Sequence, residues 1–225
     1  MMLHFDYDNS LNTIGIGFPH LPSLYKIHRS KIPKTLKKWY STNVNIDNSF
    51  FNIDCCPIGV YDGYLNNGCP TKEIESAIKL KDTYNRDKLC LMNFNINNRQ
   101  ERYDLYNSGK LTNWVSVDEN KNQNYGQVLL DILSSKFVIC PISNGVETSR
   151  VWDCVYSGAI PIVLETFWSN RFKDLPILEV QSWNSISKSF LENYWNNIHM
   201  PKLISNSYNY NKIDANYWTK FTESI

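Results

Sequence analysis

The sequence predicts an α/β fold built on a parallel, Rossmann-like sheet. From residue 50 onward, short apolar segments alternate with segments of helical periodicity, an order typical of β-α-β units with right-handed crossovers. Two of the segments, KFVIC at 136–140 and AIPIVL at 159–164, are apolar almost throughout. Such continuous runs are expected of strands buried on both faces of a parallel sheet.

The remaining elements follow from apolar runs, capping residues and glycines. The other predicted strands are FFNIDCCPIG at 50–59, which runs into a turn, KLCLMNF at 88–94, NWVSV at 113–117 and PILEV at 176–180. The predicted helices cover 71–84 with Thr71 as N-cap, 98–109 with Asn98 as N-cap, 124–135 and 144–158, followed by two amphipathic helices after residue 181. Residues 1–48 are predicted to be irregular because glycines and prolines interrupt them.

The composition excludes several classes of protein. Lys and Arg total 23 against 22 Asp and Glu, a net charge of +1, which argues against nucleic acid as the main partner. We expect no membrane span, no structural metal and no cofactor, because the 225 residues contain neither a long apolar run nor clustered histidines. The six cysteines form no C-x-x-C pair, so we expect buried, reduced thiols and a cytoplasmic protein.

The helix predicted at 144–158 carries the residues with ligand chemistry. On a helical projection its apolar side holds Val151, Trp152, Val155 and Tyr156, and its polar side holds Ser149, Arg150, Asp153 and Ser157. Arg150 suits phosphate oxygens and Asp153 suits the two hydroxyls of a ribose, near a helix N-terminus that favours anions. The alternative is a solvated i,i+3 ion pair worth only about 0.2–0.5 kcal/mol.

The order of short motifs around this helix supports the first interpretation. Residues 135–183 begin SKFVICPISNG, continue through SRVWD and reach GAIPIV. This run resembles the nucleotide-binding half of exostosin-like glycosyltransferases, and KKWYSTNVNI, CPIGV and LMNFNINNRQERY resemble earlier segments of that family in the same order. The sequence departs from the family pattern at Asp153, where Glu is usual, at Ser149, where His or Pro often stands, and at Ser143, where Gly is common.

The resemblance implies a two-lobed GT-B fold and transfer of a sugar from a nucleotide-diphosphate sugar to a glycan or protein hydroxyl, with inversion and without a metal. It divides the chain into a reduced N-terminal acceptor lobe at 1–85, a donor-binding lobe at 86–200 and a C-terminal helix at 201–225 that packs across the lobes. The donor-site residues implied by position are Arg150, Asp153, Asn144, Gly145, Ser149, Arg102 and Asn93. The small N-terminal lobe leaves open a catalytically inactive nucleotide- or glycan-binding module.

The sequence does not identify which residue is the catalytic base. The N-terminal lobe offers Asp6, Asp8, His20, Asp54 and Asp62. Asp6 and Asp8 also form a D-x-D pair, which would allow a metal-dependent transferase, although a solvated acidic N-terminus is favoured. The Asn-rich composition would suit a compact viral- or protist-style member of that family, acting in the host cytoplasm if it is viral, and a Golgi location would require an anchor outside this sequence.

Overall fold

The chain begins with an antiparallel sheet rather than irregular structure. A computed structural model describes residues 4–8, 13–17, 25–28, 39–45, 53–60, 71–97, 99–109, 112–117, 124–214 and 216–218. Strands β1 (His4–Asp8), β2 (Thr13–Gly17) and β3 (Tyr25–His28) pair in sequence order. The prediction of irregular structure at 1–48 is wrong here, because glycines alternate with isoleucines in β2 and weaken its strand propensity without preventing pairing.

A five-stranded parallel sheet forms the centre of the molecule and confirms the predicted α/β class. Its strands are β6 (Lys88–Met92), β7 (Val115–Val117), β8 (Ser135–Ile139), β9 (Ile160–Leu164) and β10 (Leu178–Val180). They lie in the order β10-β9-β8-β6-β7, with every neighbouring pair parallel. The order reverses between β6 and β8, as in doubly wound sheets.

Helices cover both faces of this sheet. They are α1 (Thr71–Leu80), α2 (Gln100–Gly109), α3 (Tyr125–Leu133) and α4 (Ser149–Ser157), then α5 (Lys188–Tyr194), a π-helical turn (Trp195–His199) and α6 (Met200–Ile204). Leu91 and Val138 pack in a core with α1, α3 and α4, whereas Phe137 and Ile139 pack in a second core with α2 and α5. Successive side chains of a strand point to opposite faces, so each central strand contributes to both cores.

The ends of these helices explain where the chain turns. The Asn124 side chain accepts a hydrogen bond from the Gln127 amide and caps α3. Gly158 ends α4 with φ of 74°, a left-handed conformation that glycine adopts without a steric penalty. None of the helices in the described part of the chain is both long and apolar enough to cross a membrane.

The guanidinium of Arg86 joins the C-terminal ends of three helices. Its Nη2 donates to the carbonyls of Lys81, after α1, at 3.1 Å and of Ser157, in α4, at 2.6 Å. Its Nη1 donates to the carbonyls of Leu133, in α3, and Ser135, both at 2.9 Å. The last carbonyls of a helix lack intrahelical partners, and here one cation satisfies several of them. Burial lowers the pKa of Arg86, although an arginine stays charged in proteins.

The part of the chain before residue 85 shares a core with the sheet that follows. Strands β4 (Trp39–Ser41) and β5 (Ile53–Cys55) form a parallel pair, and α1 packs against α3 and α4. Val44, Ile53 and Ala77 lie in the same apolar cluster as Val138 and Trp152. Within the described ranges, the predicted boundary at 85 therefore does not separate two hydrophobic cores.

Free thiols are buried in these cores, as the sequence predicts. Cys55, Cys90, Cys140 and Cys154 are buried and Cys56 is half-buried, all of them free, while Cys69 lies outside the described residues. Burial raises the pKa of the Cys90 and Cys154 thiols well above its ordinary value. These two thiols therefore stay protonated and unreactive at neutral pH.

Candidate functional site

Two loops meet at the carboxyl edge of the sheet, where its strand order reverses. Residues 93–99 follow β6 and residues 140–148 follow β8, and these strands are neighbours. The first loop leads to α2 on one face, and the second leads to α4 on the other. Because the two connections leave in opposite directions, a crevice opens between them, and doubly wound sheets bind their ligands there.

Arg102 is buried between these two loops, in contact with a residue of each. It lies near the start of α2 with 6 % of its surface exposed. Its Nη1 donates to the Asn95 carbonyl at 2.8 Å and lies 3.4 Å from the Ser143 hydroxyl, and its guanidinium carbon lies 5.0 Å from the centre of the Phe94 ring. Its Nε is buried and meets no hydrogen-bond acceptor among the described residues. A buried, charged N–H group without an acceptor destabilises the folded protein. The Nε of Arg102 therefore indicates a position for an acceptor atom of a ligand.

Arg150 enters the same crevice from the first turn of α4. Its Nε lies 3.8 Å from Oδ2 of Asp153, and its side chain is 24 % exposed. Its Nη1 is buried, again without an acceptor in the described part of the chain. The proximity of Arg150 and Arg99 adds to burial in lowering the pKa of Arg102. The guanidiniums of Arg102 and Arg150 thus repel each other, and a polyvalent anion between them would relieve that repulsion.

The carboxylate of Asp153 lies beside the guanidinium of Arg150. The carboxylate is 2 % exposed, and its Oδ1 accepts a 2.7 Å hydrogen bond from the Tyr125 hydroxyl at the start of α3. Burial raises the pKa of Asp153, while Arg150 and the Tyr125 hydrogen bond oppose that rise. Both oxygens face groups of the protein itself, so in this conformation the carboxylate orients Arg150 rather than presenting itself to solvent.

Arg99 adds a third positive charge at the rim. This exposed residue donates from Nη1 to the Ser143 carbonyl at 3.1 Å. Arg99 and Arg102 therefore both contact Ser143, which ties the loop after β6 to the loop after β8. Together, Arg99, Arg102 and Arg150 form what we call the arginine site.

A buried carboxyl fixes the loop that carries Ser143. Glu147, 1 % exposed, accepts hydrogen bonds from the backbone amides of Asn43 at 3.0 Å and Ile58 at 2.6 Å and from Nε1 of Trp152 at 2.8 Å. The Asn43 side chain accepts in return from the Glu147 amide at 2.9 Å. Burial raises the pKa of Glu147 to about 7, although these hydrogen bonds favour the ionised form and partly offset that rise. Segments from three parts of the chain are thereby held together.

Asn43 also explains the glycine in this loop. The Asn43 backbone is left-handed with φ of 57°, a conformation that asparagine tolerates better than most residues. Its side-chain Oδ1 lies where a Cβ on Gly145 would stand, so any larger residue at 145 would clash. Gly145 is therefore required by a contact with a distant segment rather than by a helix cap.

The structure places the predicted donor residues as follows. Arg102 and Arg150 come together, Ser149 is the first residue of α4, Asn144 is exposed, and the half-buried Asn93 follows β6 directly. Asn144 and Gly145 precede the helix, as expected, but the predicted helix start directly after Gly145 is wrong, because α4 begins at 149 after Thr148. The predicted polar face is also wrong: Asp153 and Ser157 are buried because α4 packs on several sides.

Sequence reasoning missed Glu147, Asn43 and Tyr125. Glu147 contacts Asn43 across 104 positions and Asp153 bonds Tyr125 across 28, so no local pattern links them. An acid inside an apolar helix, as in VWDCV, is a signal for a buried carboxylate that needs a partner. Among the candidate bases, Asp54 lies 3.8 Å from Nε of Arg171. His20 and Asp62 fall outside the described residues, and Asp6 and Asp8 lie in β1.

Comparison with known proteins shows no family for this chain. No protein-family model matches the chain, and a search of curated proteins gives no significant match. In the described ranges, no group of three His, Cys, Asp or Glu side chains is placed to hold a metal ion.

Proposed function

We propose that the protein is a glycosyltransferase whose nucleotide-diphosphate sugar binds at the arginine site. The observation that carries the proposal is the pair of guanidiniums of Arg102 and Arg150, each with a buried N–H that meets no acceptor among the described residues. Both lie where the sheet order reverses, the place where this architecture binds nucleotides. The order of motifs shared with exostosin-like transferases supports the same assignment.

A diphosphate fits this site better than a single carboxylate. Planar guanidiniums pair with phosphate oxygens through two parallel hydrogen bonds. Arg102 comes from α2 and Arg150 from α4, on opposite faces of the sheet, so an anion with two charged centres can contact both. Arg99 at the rim adds charge that attracts a negatively charged ligand.

The proposed reaction is a displacement at the anomeric carbon. An acceptor hydroxyl attacks that carbon, its proton passes to a base, and the bond to the diphosphate oxygen breaks with its electron pair going to the diphosphate. Arg102 and Arg150 would stabilise the charge that develops on the departing group. The base stays unassigned among Asp6, Asp8, His20, Asp54 and Asp62.

Asp153 takes a different part in this proposal from the ribose contact that the resemblance implies. Its carboxylate is bound by Tyr125 and lies beside Arg150, so we assign it the orientation of that guanidinium. The alternative, a module that binds the nucleotide without turnover, would use the same arginine site.

Calorimetric titration with UDP, GDP, dTDP and inorganic pyrophosphate tests the site. We expect one nucleotide diphosphate to bind, in the presence of EDTA, and affinity to fall about tenfold or more in Arg150→Ala and in Arg102→Ala. Lys188→Ala is the matched control, because Lys188 is an exposed cation paired with Glu192 on α5. Equal affinity in all three variants would contradict the proposed site.

A second assay separates the enzyme from the binding module. Release of nucleoside diphosphate from the corresponding nucleotide sugar, with a mixture of glycans as acceptors, is expected of a transferase and lost in Arg150→Ala. Binding of the nucleotide without any release would support the module and contradict turnover.

A further inference from the structure

A separate pocket of 350 Å³ lies beside the β4–β5 pair. One wall is formed by these strands, another by the short helix Ser169–Phe172 that follows β9, and a third by the helical turn at 216–218. The lining residues that matter here are Tyr40, Asp54, Arg171, Lys212, Tyr217 and Trp218. None of them belongs to the arginine site.

The charges of this pocket are balanced. Asp54 lies 3.8 Å from Nε of Arg171, and Lys212 binds Asp174 at 2.9 Å. Each cation thus has a carboxylate beside it, in contrast to the arginine site, where Asp153 lies beside Arg150 while Arg99 and Arg102 donate to oxygens of Ser143 and Asn95. A balanced pocket does not select an ion, yet its paired charged groups still offer strong donors and acceptors to a neutral polar ligand.

The aromatic side chains of the pocket contact one another, and Trp218 is also hydrogen-bonded to the backbone. Trp218 meets Tyr217 edge to face at 5.1 Å between ring centres and Tyr40 at 6.0 Å. Its indole N–H donates to the Lys212 carbonyl at 2.8 Å, which fixes the ring plane. Lys212 is held in turn through its ammonium, which donates to the Arg171 carbonyl and to Asp174. A ring fixed in this way loses little entropy when a ligand packs against it.

We propose that this pocket binds one sugar residue. A pyranose presents C–H bonds on a ring face and hydroxyl pairs at its edge, so it needs aromatic surface and bidentate polar groups together. Trp218 with its tyrosines supplies the first, and Asp54 with Arg171 supplies the second. At 350 Å³ the pocket is at the small end of ligand sites, about 300–1,000 Å³, which fits a single residue of a glycan.

The pocket is connected to the arginine site through two consecutive residues. Nη1 of Arg171 donates to the Val44 carbonyl at 3.0 Å, and the neighbouring Asn43 holds Glu147 and contacts Gly145 in the Ser143 loop. The binding of the sugar does not rest on the proposed transferase activity, because the pocket has its own residues.

Saturation-transfer NMR with methyl glycosides of glucose, galactose, mannose, xylose and N-acetylglucosamine tests the pocket. We expect a saturable signal from at least one of them at millimolar concentration, since a single sugar offers few contacts. Asp54→Asn keeps the size of the side chain and its bond to the Cys55 amide, and should weaken binding about tenfold. Trp218→Leu should abolish it.

Matched control variants distinguish a specific loss of sugar binding from a general effect of substitution. Trp183→Leu removes an indole of comparable exposure whose N–H binds Glu101 elsewhere on the surface, and it should leave binding intact, as should Arg150→Ala. Melting curves of each variant establish that it is folded. The proposal is overturned if no glycoside gives a saturable signal, if Asp54→Asn and Trp218→Leu bind as the native chain does, or if binding is lost in Arg150→Ala instead.

Discussion

Two buried titratable groups should give this protein opposing responses to acid. Burial raises the pKa of Glu147 from its ordinary 4.5 to about 7. Burial and the nearby Arg86 cation lower the pKa of His199 from 6.5 to about 4. Glu147 is 1 % exposed and His199 is 3 % exposed, with Nδ1 of His199 placed 3.0 Å from the Tyr208 hydroxyl. Solvent therefore screens neither group appreciably.

The sign of each contribution follows from proton binding. Between pH 7 and 4.5 the folded chain binds a proton at Glu147 that the unfolded chain does not, so acidification raises the free energy of unfolding. Between pH 6.5 and 4 the unfolded chain protonates His199 and the folded chain does not, so acidification lowers it. Each difference in pKa corresponds to about 3 kcal/mol over its full range, and from pH 6.5 to 4.5 each contributes about 2 kcal/mol.

Replacing either of these two residues leaves the pH dependence that the other one contributes. His199→Phe keeps a ring between Trp195 and Tyr208, and its free energy of unfolding relative to the native chain should rise by about 2 kcal/mol as the pH falls from 6.5 to 4.5. Glu147→Gln should show the reverse, a relative fall of about 2 kcal/mol.

Urea unfolding followed by tryptophan fluorescence at several pH values measures both differences. All other carboxyl groups are common to the variant and the native chain, so their contributions cancel on subtraction. A difference that stays constant from pH 6.5 to 4.5 in either variant would refute the reasoning for that group.

Three further perturbations test the packing around the site. Arg86→Met should lower the free energy of unfolding by about 3–5 kcal/mol, because buried helix carbonyls lose a charged donor; urea titration measures it. Gly145→Ala should cost about 1–3 kcal/mol through its clash with the Asn43 side chain, and adding Asn43→Gly should recover part of that loss, which a double-mutant cycle detects. Tyr125→Phe removes the hydrogen bond to Asp153 and should weaken binding of the nucleotide diphosphate about threefold to tenfold by calorimetry, whereas unchanged affinity would separate Asp153 from the site.

The parallel sheet could be predicted because its information is local. The runs at 136–140 and 159–164 are too apolar for a surface strand, and Gly158 stops the helix between them. The helix predicted at 124–135 is found as α3, and the Asn124 side chain that caps it bonds an amide only three residues along the chain. The strands of the N-terminal sheet were missed because the glycines of β2 and the prolines between residues 19 and 33 resemble those of turns.

The candidate site could be predicted only in part, because its geometry depends on distant segments. Arg150 could be singled out from its position beside a loop and a helix. Asn144 and Gly145 resembled a helix start, yet Gly145 is required by Asn43, about a hundred residues earlier. The burial of Asp153 follows from the packing of α3, which supplies Tyr125, and no periodicity within α4 contains that information.

Arg86 has a consequence for how the molecule opens. Its guanidinium contacts carbonyls at the ends of α1, α3 and α4, so none of these helices can fray at its C-terminal end without disturbing a donor that the other two share. Local opening is then no longer independent from one helix to the next. The amides near these three ends should exchange with deuterated water at similar rates, as one cooperative unit, and the loops of the arginine site lie at the opposite edge of the sheet, outside that unit.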